Sequence, residues 1–155
     1  MPGYLFDTNH FSEWVRGNPT LLERIAKRPV ENIIWLCPII LGEIEFGLNV
    51  AATKDVQKQK ECREFINAQA MHIFQQMDVE TGRQYGYVLG QIYKSYPKTE
   101  ADQSTQKHLT TIRVDINDVW LAAVALTHNL ILVTDDEMKV IRECVPELRV
   151  ENWLL

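Results

Sequence analysis

The segment from residue 117 to residue 136 constrains the fold more than any other part of the chain, because it predicts a helix that leads directly into a buried strand. Its first half, NDVWLAAVALTH, starts with Asn117, a favourable helix N-cap, and then repeats apolar residues at helical spacing. Asn129 suits the left-handed position at a helix end. The all-apolar run 130–133 is typical of a strand that is covered on both faces.

The predicted helix and strand have similar lengths, so the helix can pack back along the strand. A helix of about 12 residues is roughly 18 Å long, and about five extended residues cover roughly 16 Å. Asp118, at the start of the helix, is therefore expected beside Asp135 and Asp136, which follow the strand. Acidic groups repel one another, so a physical reason is needed for bringing them together.

The rest of the chain alternates short apolar runs with helical patterns, which predicts an α/β fold. This alternation favours βαβ units and hence a parallel sheet of about five strands with helices on both faces. In such sheets, ligands bind outside the carboxyl ends of the strands. The predicted strands are residues 4–6, 33–36, 73–74, 130–133 and 148–150. Helices are predicted to start after a cap at Thr8 or Asn9, at Pro19, at Pro38 and after Asn117, and to occupy 53–70, 80–96 and 138–145, while 98–111 is a surface loop or a weak helix.

Composition predicts a soluble protein. At 155 residues, with 46% apolar and 24% charged residues, the chain is expected to form a single domain over residues 1–155. The net charge of −5 excludes a global basic field, so any nucleic-acid contact depends on a local patch or on metal ions. Three widely separated cysteines indicate neither a disulfide framework nor a zinc site. The longest apolar run, 119–126, is far shorter than the ~20 residues that span a bilayer, and no cationic leader is present, so a cytoplasmic location without membrane contact is expected.

Acidic residues are predicted at four neighbouring places along the carboxyl edge of the sheet. They follow the first strand, lie early in the helix after the second strand, start the helix at 117, and follow the strand after it. In chain order they are Asp7, Glu43, Asp118 and the pair Asp135 and Asp136. Two carboxylates about 4 Å apart repel by roughly 4 kcal/mol at an effective dielectric constant of about 20. Such a cluster persists only if a carboxylate is protonated or a cation is bound.

The type of these side chains indicates which cation would bind. An all-oxygen ligand set suits Mg²⁺ or Mn²⁺ rather than zinc. Such an ion can activate a water and neutralise a leaving oxygen, so metal-assisted phosphodiester hydrolysis is the chemistry that the acids favour. Taken singly, Asp118 and Asp135 have a structural interpretation, because acids beside helix N-termini favour the helix dipole. Glu43, flanked by isoleucines, is hard to explain without a partner.

Four motifs of the chain, in this order, resemble those of PIN-domain ribonucleases, and most closely those of the VapC toxins of prokaryotic toxin–antitoxin pairs. They are LFDTN at 5–9, GEIEFG at 42–47, NDVWLAA at 117–123 and LVTDD at 132–136. The resemblance implies a PIN-like three-layer sandwich and a Mg²⁺- or Mn²⁺-dependent endoribonuclease that often cuts tRNA or rRNA. It also implies inhibition by a VapB-like antitoxin and assembly as a homodimer.

The resemblance also implies roles for individual residues. It matches Asp7, Glu43 and Asp118 with the first three acids of the family. For the fourth acid it favours Asp136, with Asp135 as the alternative. The positions implied to support them are the hydroxyls of Thr8 and Thr134, which would assist the metal or the scissile phosphate, and Asn9, which would brace Asp7.

Two other functions stay open from the sequence. The DTN motif with a late DD also resembles haloacid-dehalogenase-type phosphatases, although these need a second aspartate where this chain has Asn9. The other alternative is a catalytically silent PIN scaffold that binds RNA or protein. The four histidines are not at ligand spacing, and His10 is predicted to be structural, as a lone histidine at a helix start more often is.

Overall fold

The computed structural model describes residues 3–50, 56–73 and 77–155. In this part of the chain, four parallel strands form one sheet in the order β2-β1-β3-β4. The strands are β1 (Tyr4–Phe6), β2 (Ile34–Trp35), β3 (Ile131–Val133) and β4 (Val150–Glu151). The helices are α1 (Thr8–Arg16), α2 (Pro19–Lys27), α3 (Pro38–Val50), α4 (Val56–Ile73), α5 (Val79–Ser95), α6 (Thr105–Thr111), α7 (Ile116–Thr127) and α8 (Lys139–Cys144).

The two central strands form the middle of the hydrophobic core. All three residues of β1 are buried, which requires cover on both faces of the sheet, as predicted for an α/β sandwich. Leu5 pairs with Leu132 of β3, and neither side chain is exposed. Helix α7 presents an almost continuous buried surface, and α5 packs along it. The predicted fold class is thereby confirmed. None of the described helices is both long and apolar enough to cross a membrane.

The strand order creates a crevice between β1 and β3. From β1 the chain goes first to β2 on one side and later to β3 on the other, so β1 and β3 flank the point where the winding changes direction. In open α/β sheets this is where ligands bind. The backbone N–H of Asp7 donates to the Val133 carbonyl at 3.1 Å, which joins the carboxyl ends of the two strands.

Local chain chemistry explains most helix ends. Gly17 adopts a left-handed conformation (φ 76°) and ends α1, and Asn18 caps α2 by accepting the backbone N–H of Leu21. Asn129 also lies in the left-handed region (φ 52°), as predicted. The weak helix proposed within 98–111 is the single short helix α6.

Two predictions of secondary structure need correction. The strand at 73–74 is wrong at Ile73, which ends α4, and Phe74 lies outside the described residues. The described sheet therefore has four strands rather than about five. Helix α7 begins at Ile116 and is capped by Asp115, whose carboxylate accepts the N–H of Asn117 at 2.7 Å, so Asn117 is not the cap. The predicted helix start at 53 also lies outside the described residues, and α4 is described from Val56.

Candidate functional site

Asp7 lies immediately after β1 and is the N-cap of α1. Its Oδ1 accepts the backbone N–H of His10 at 2.7 Å and also lies 3.0 Å from Nδ1 of the His10 ring. Its side chain is only 13% exposed. The expected cap, Thr8 or Asn9, is not observed, and both are instead the first residues of the helix proper, because the carboxylate at position 7 already accepts the free N–H of His10.

Glu43 joins three helices. It is half-buried on α3, where Thr8 of α1 donates its hydroxyl to Oε2 and Asn117 of α7 donates its amide to Oε1 at 2.7 Å. The sequence indicated that Glu43 needs a partner, and in the structure it has two neutral hydrogen-bond donors. Glu45, on the same helix, pairs with Arg63 of α4 at 2.9 Å. The two glutamates therefore have distinct environments, and only Glu43 is connected to α7.

Asp118 lies in the first turn of α7 and has the most perturbed environment of the predicted acids. Burial, which is the largest cause, and four neighbouring carboxylates together raise its pKa to about 7. These neighbours are, in order of effect, Asp136, Asp115, Asp7 and Glu43. The three other predicted acids therefore lie close enough to Asp118 to repel its ionised form.

The residues after β3 divide between two partners. Asp136 accepts the backbone N–H of Met138 on Oδ1 at 2.7 Å, and its own N–H donates to the buried Thr134 hydroxyl at 3.0 Å. Asp135 accepts the Asn9 amide on Oδ2 at 2.8 Å. Asn9 therefore braces Asp135, and not Asp7 as expected. Asp136 has the largest influence of any carboxylate on Asp118, whereas Asp135 lies on the side of Asp7.

His10 is a residue of this site that the sequence did not reveal as such. In the described part of the chain, the one trio of potential ligand atoms within 4.8 Å of one another is formed by Asp7, His10 and Asp135. The histidine is fully buried, and its Nε2 accepts the backbone N–H of Trp153 at 3.3 Å. The available signal was its position three residues after an N-cap carboxylate, which places the side chain of residue 10 beside that cap.

The donor set fits a hard divalent cation. Asp7, Glu43 and Asp136 accept hydrogen bonds from neutral groups, and Asp118 carries a raised pKa because burial and like charges oppose its ionisation. A bound cation would remove that opposition, and carboxylate oxygens are the ligands that Mg²⁺ and Mn²⁺ prefer. The residues present therefore suit a divalent ion.

Two cavities adjoin the predicted acids. The larger, of about 620 Å³, is lined by Thr8 and Glu43 and by other residues of α1, α3 and α4, among them Arg16. The smaller, of about 320 Å³, is lined by Asp118 and Asp136 together with two cationic residues, Arg113 and Lys139. Each cavity is thus lined by both acidic and basic side chains.

The protein is thus of the α/β class, with a parallel sheet that carries carboxylates at the carboxyl edge of its central strands. The chain belongs to the PIN domain family, whose sequence model matches residues 4–142. No curated protein sequence matches the chain.

Solved structures with the same fold cover nearly the whole chain. One is a chain of the VapBC2 complex from Rickettsia felis bound to a promoter DNA fragment, with a TM-score of 0.67 and 20% identity over 97% of this chain and 98% of the other. A second is VapBC-1 from nontypeable Haemophilus influenzae, with a TM-score of 0.68 and 18% identity over 98% of both chains. A third is FitAcB from Neisseria gonorrhoeae, with a TM-score of 0.64 and 22% identity over 97% of both chains.

Proposed function

We propose that this protein is a metal-dependent endoribonuclease of the VapC type, acting as a single PIN domain over residues 1–155. The observation that carries the proposal is the environment of Asp118, a carboxylate whose pKa is raised to about 7 by burial and by four neighbouring carboxylates, three of which are predicted site acids. Ionising a buried carboxylate among other carboxylates costs free energy unless a cation binds to it. Membership of the PIN domain family and the shared fold with chains of VapBC complexes support the same function.

In the proposed mechanism, Mg²⁺ or Mn²⁺ is held by Asp7, Glu43, Asp118 and Asp136. When bound, the metal supplies the positive charge that activates a water and offsets charge on the leaving oxygen. Two neutral donors, the hydroxyl of Thr8 and the amide of Asn117, hold the two Glu43 oxygens without neutralising them.

The groups after β3 complete the proposed site. Thr134 fixes the turn that carries Asp136, and Asn9 keeps Asp135 beside Asp7. Asp135 is the alternative fourth acid. Nothing in this arrangement requires a covalent enzyme intermediate, which is the step that distinguishes the haloacid-dehalogenase alternative.

RNA is the proposed substrate, with tRNA or rRNA as the class. The net charge of −5 repels a polyanion, so binding must depend on local cations and on the metal. In this proposal the phosphates of the RNA meet Arg113 and Lys139 at the smaller cavity and Arg16, which also pairs with Glu13, at the larger one. A cytoplasmic location and a homodimer belong to the same proposal.

A VapB-like antitoxin is the proposed protein partner, because the structural neighbours are VapBC complexes. An acidic edge attracts a basic segment, and an arginine or lysine placed there would replace the charge of the metal. An antitoxin-derived basic peptide should therefore weaken Mn²⁺ binding in calorimetry. Unchanged metal affinity in the presence of bound peptide would contradict this mode of inhibition.

The test of the proposed function is cleavage of a structured RNA pool containing tRNA and rRNA with Mg²⁺, with Mn²⁺ and with a chelator. Asp7→Asn and Asp118→Asn keep the side-chain shape and remove the charge of a ligand. Each should reduce cleavage by more than the roughly 100-fold that losing an outer hydrogen-bond partner can cost.

A matched control comes from α3. Glu43→Gln should lose activity, whereas Glu45→Gln, the same change two residues along, should keep it, because Glu45 pairs with Arg63 outside the site. Cleavage that neither aspartate variant affects would overturn the assignment of the site. A protein that neither binds metal nor cleaves RNA would instead be the silent scaffold, and turnover of a phosphomonoester through an aspartyl phosphate would indicate the phosphatase.

A further inference from the structure

His10 is a buried polar residue whose ring nitrogens both have partners. Its side chain is completely buried, and the centroid of its ring lies 5.8 Å from that of Phe6 in a T-shaped arrangement. Nδ1 lies 3.0 Å from Oδ1 of Asp7, and Nε2 lies 3.3 Å from the backbone nitrogen of Trp153. A fully buried histidine between a carboxylate and a main-chain N–H has a defined hydrogen-bonding role.

The partner on Nε2 determines where the ring proton is. A backbone N–H can only donate, so Nε2 must accept and carries no proton. The neutral ring then has its one proton on Nδ1, which donates to Asp7. Trp153 thus selects the tautomer of His10, and its own position is fixed by its indole, which packs against Tyr4 and Phe6 with centroid distances of 4.6 and 5.4 Å.

Both donors that residue 10 directs at Asp7 reach the same oxygen. The backbone N–H and the Nδ1–H of His10 converge on Oδ1, at 2.7 and 3.0 Å. The described hydrogen bonds of Asp7 include none to Oδ2, so the second oxygen is the one available for a metal. A carboxylate held at one oxygen by two donors has a restricted rotation about its Cβ–Cγ bond, which lowers the entropy lost when the other oxygen binds an ion.

We infer that His10 is a positioning residue for Asp7, held in the Nδ1–H tautomer by the main chain at Trp153, and that it aims the free Asp7 oxygen at the divalent ion. This inference rests on the proposed function. It also makes the segment that follows β4, which contains Trp153, a part of the support of the site. His10 is not itself a ligand, because both ring nitrogens are already used.

The closeness of Asp7, His10 and Asp135 would also suit a site in which His10 binds the ion directly. That arrangement requires Nδ1 to lose its proton and its bond to Asp7. The alternatives therefore differ in one measurable property, which is whether Nδ1 stays protonated when metal binds.

Two amide variants separate the two contacts of the ring. In His10→Asn, the side-chain nitrogen occupies the place of Nδ1 and can still donate to Asp7. In His10→Gln, the amide reaches instead to the place of Nε2, where its oxygen can accept the N–H of Trp153. Asp7 then has no hydrogen bond from the side chain of residue 10. Both variants remove the imidazole, so any general cost of losing a buried ring is shared, and thermal unfolding of each metal-free variant checks that it is folded.

The first measurement is ¹⁵N NMR of the metal-free protein, with the His10 signals identified by their absence from the His10→Asn spectrum. We expect a protonated Nδ1 and an unprotonated Nε2, with the Nδ1 proton retained after Mg²⁺ is added. A proton on Nε2, or loss of the Nδ1 proton on adding Mg²⁺, would overturn the inference.

The second measurement is Mn²⁺ affinity by calorimetry. We expect His10→Gln to bind Mn²⁺ about 10- to 100-fold more weakly than wild type, as for other outer hydrogen-bond partners of metal ligands, and His10→Asn to stay within about threefold. Equal affinities in both variants and wild type, or equal losses in both, would contradict a positioning role.

The same experiments separate this inference from the proposed function. Wild-type protein that binds metal but cleaves no RNA would overturn the proposed endoribonuclease function, while weaker Mn²⁺ binding by His10→Gln would still support the role of His10. RNA cleavage and metal binding that His10→Gln leaves unchanged would overturn the role of His10 alone. A wild-type protein that binds no divalent ion would overturn both.

Discussion

Replacing Asp118 with asparagine should make the metal-free protein more stable at neutral and alkaline pH, although it should abolish activity. The folded-state pKa of Asp118 is about 7, compared with an ordinary value of 3.8. The folded protein therefore holds the proton more tightly than the unfolded chain does. The stability linked to this group is fully present below about pH 4 and is lost as the pH rises to about 7.

The magnitude follows from the difference between the two pKa values. At about 1.36 kcal/mol per pH unit, ionised Asp118 costs the folded state at most about 4 kcal/mol above pH 7. The side chain is partly exposed, and screening by water and salt reduces this to about 2 to 3 kcal/mol. Asparagine has a similar shape and no charge, so Asp118→Asn removes the cost.

Urea unfolding with a chelator present, followed by tryptophan fluorescence at pH 4.5 and pH 8, measures this effect. The free energy of unfolding of the variant should exceed that of wild type by about 1 to 2 kcal/mol more at pH 8 than at pH 4.5, because about 1 kcal/mol of the cost is already present at pH 4.5. Saturating Mg²⁺ should stabilise wild type, by about 2.7 kcal/mol at 100 times its Kd, and have little effect on the variant. Glu45→Gln, which changes a carboxyl to an amide outside the cluster, controls for the substitution itself. A pH-independent difference, or a variant less stable than wild type at pH 8, would refute the reasoning.

Three further predictions concern the support of the site and of the fold. Asn117→Ala removes the amide that donates to Oε1 of Glu43 and should reduce the single-turnover rate of RNA cleavage about 10- to 100-fold, with the helix content by circular dichroism unchanged. Full activity of this variant would mean that Thr8 alone holds Glu43. Asp102→Asn should destabilise the protein at pH 7, and this loss of stability should shrink as the pH falls towards 2, because hydrogen bonds from the Thr99 N–H and from His108 lower the pKa of Asp102 to about 2. Urea unfolding at pH 7 and pH 3 measures the loss, and an equal loss at both pH values would contradict a lowered pKa of Asp102. Leu132→Ala should cost about 2 to 5 kcal/mol in urea unfolding, because the side chain is fully buried in β3, and a cost below 1 kcal/mol would mean that the central sheet repacks.

The parts of the fold that the sequence predicts best are those where local chemistry and burial agree. Strand β1 has the predicted bounds, because three apolar residues end at a helix-capping aspartate. Helix α2 starts at the predicted Pro19, and Asn129 takes the predicted left-handed conformation. The start of α7 was misplaced by about two residues, since Asp115 and Asn117 are both good caps and only packing chooses between them.

The strand predicted at 73–74 shows where sequence patterns are ambiguous. A short apolar run can be a strand or the end of a buried helix, and periodicity over two residues cannot distinguish them. Ile73 is the last residue of the 18-residue helix α4, so the helix simply continues to it. The length of the neighbouring helical pattern was the more informative signal.

The sequence predicted which edge of the sheet carries the candidate site residues, but not which of their side chains are hydrogen-bonded to one another. Parallel strands bring their carboxyl ends to one edge, which places Asp7 near Asp135 without knowledge of the register. The pairing of Asn9 with Asp135, and that of Asn117 with Glu43, depends on side-chain geometry between elements far apart in the chain. The partners of His10 could not be predicted for the same reason, because one of them is the main chain at Trp153, 143 residues away.

The dependence of His10 on Trp153 has a consequence for the order of synthesis. His10, the residue that holds Asp7, is synthesised well before Trp153, whose N–H fixes the tautomer of His10. Until residue 153 has been made, the growing chain has Asp7 without its full support, and β1 lacks its neighbour β3 until residues 131–133 have been made. We therefore expect the acidic edge to take its final arrangement only after residue 153 has been synthesised, so that the order of translation delays the appearance of a competent site.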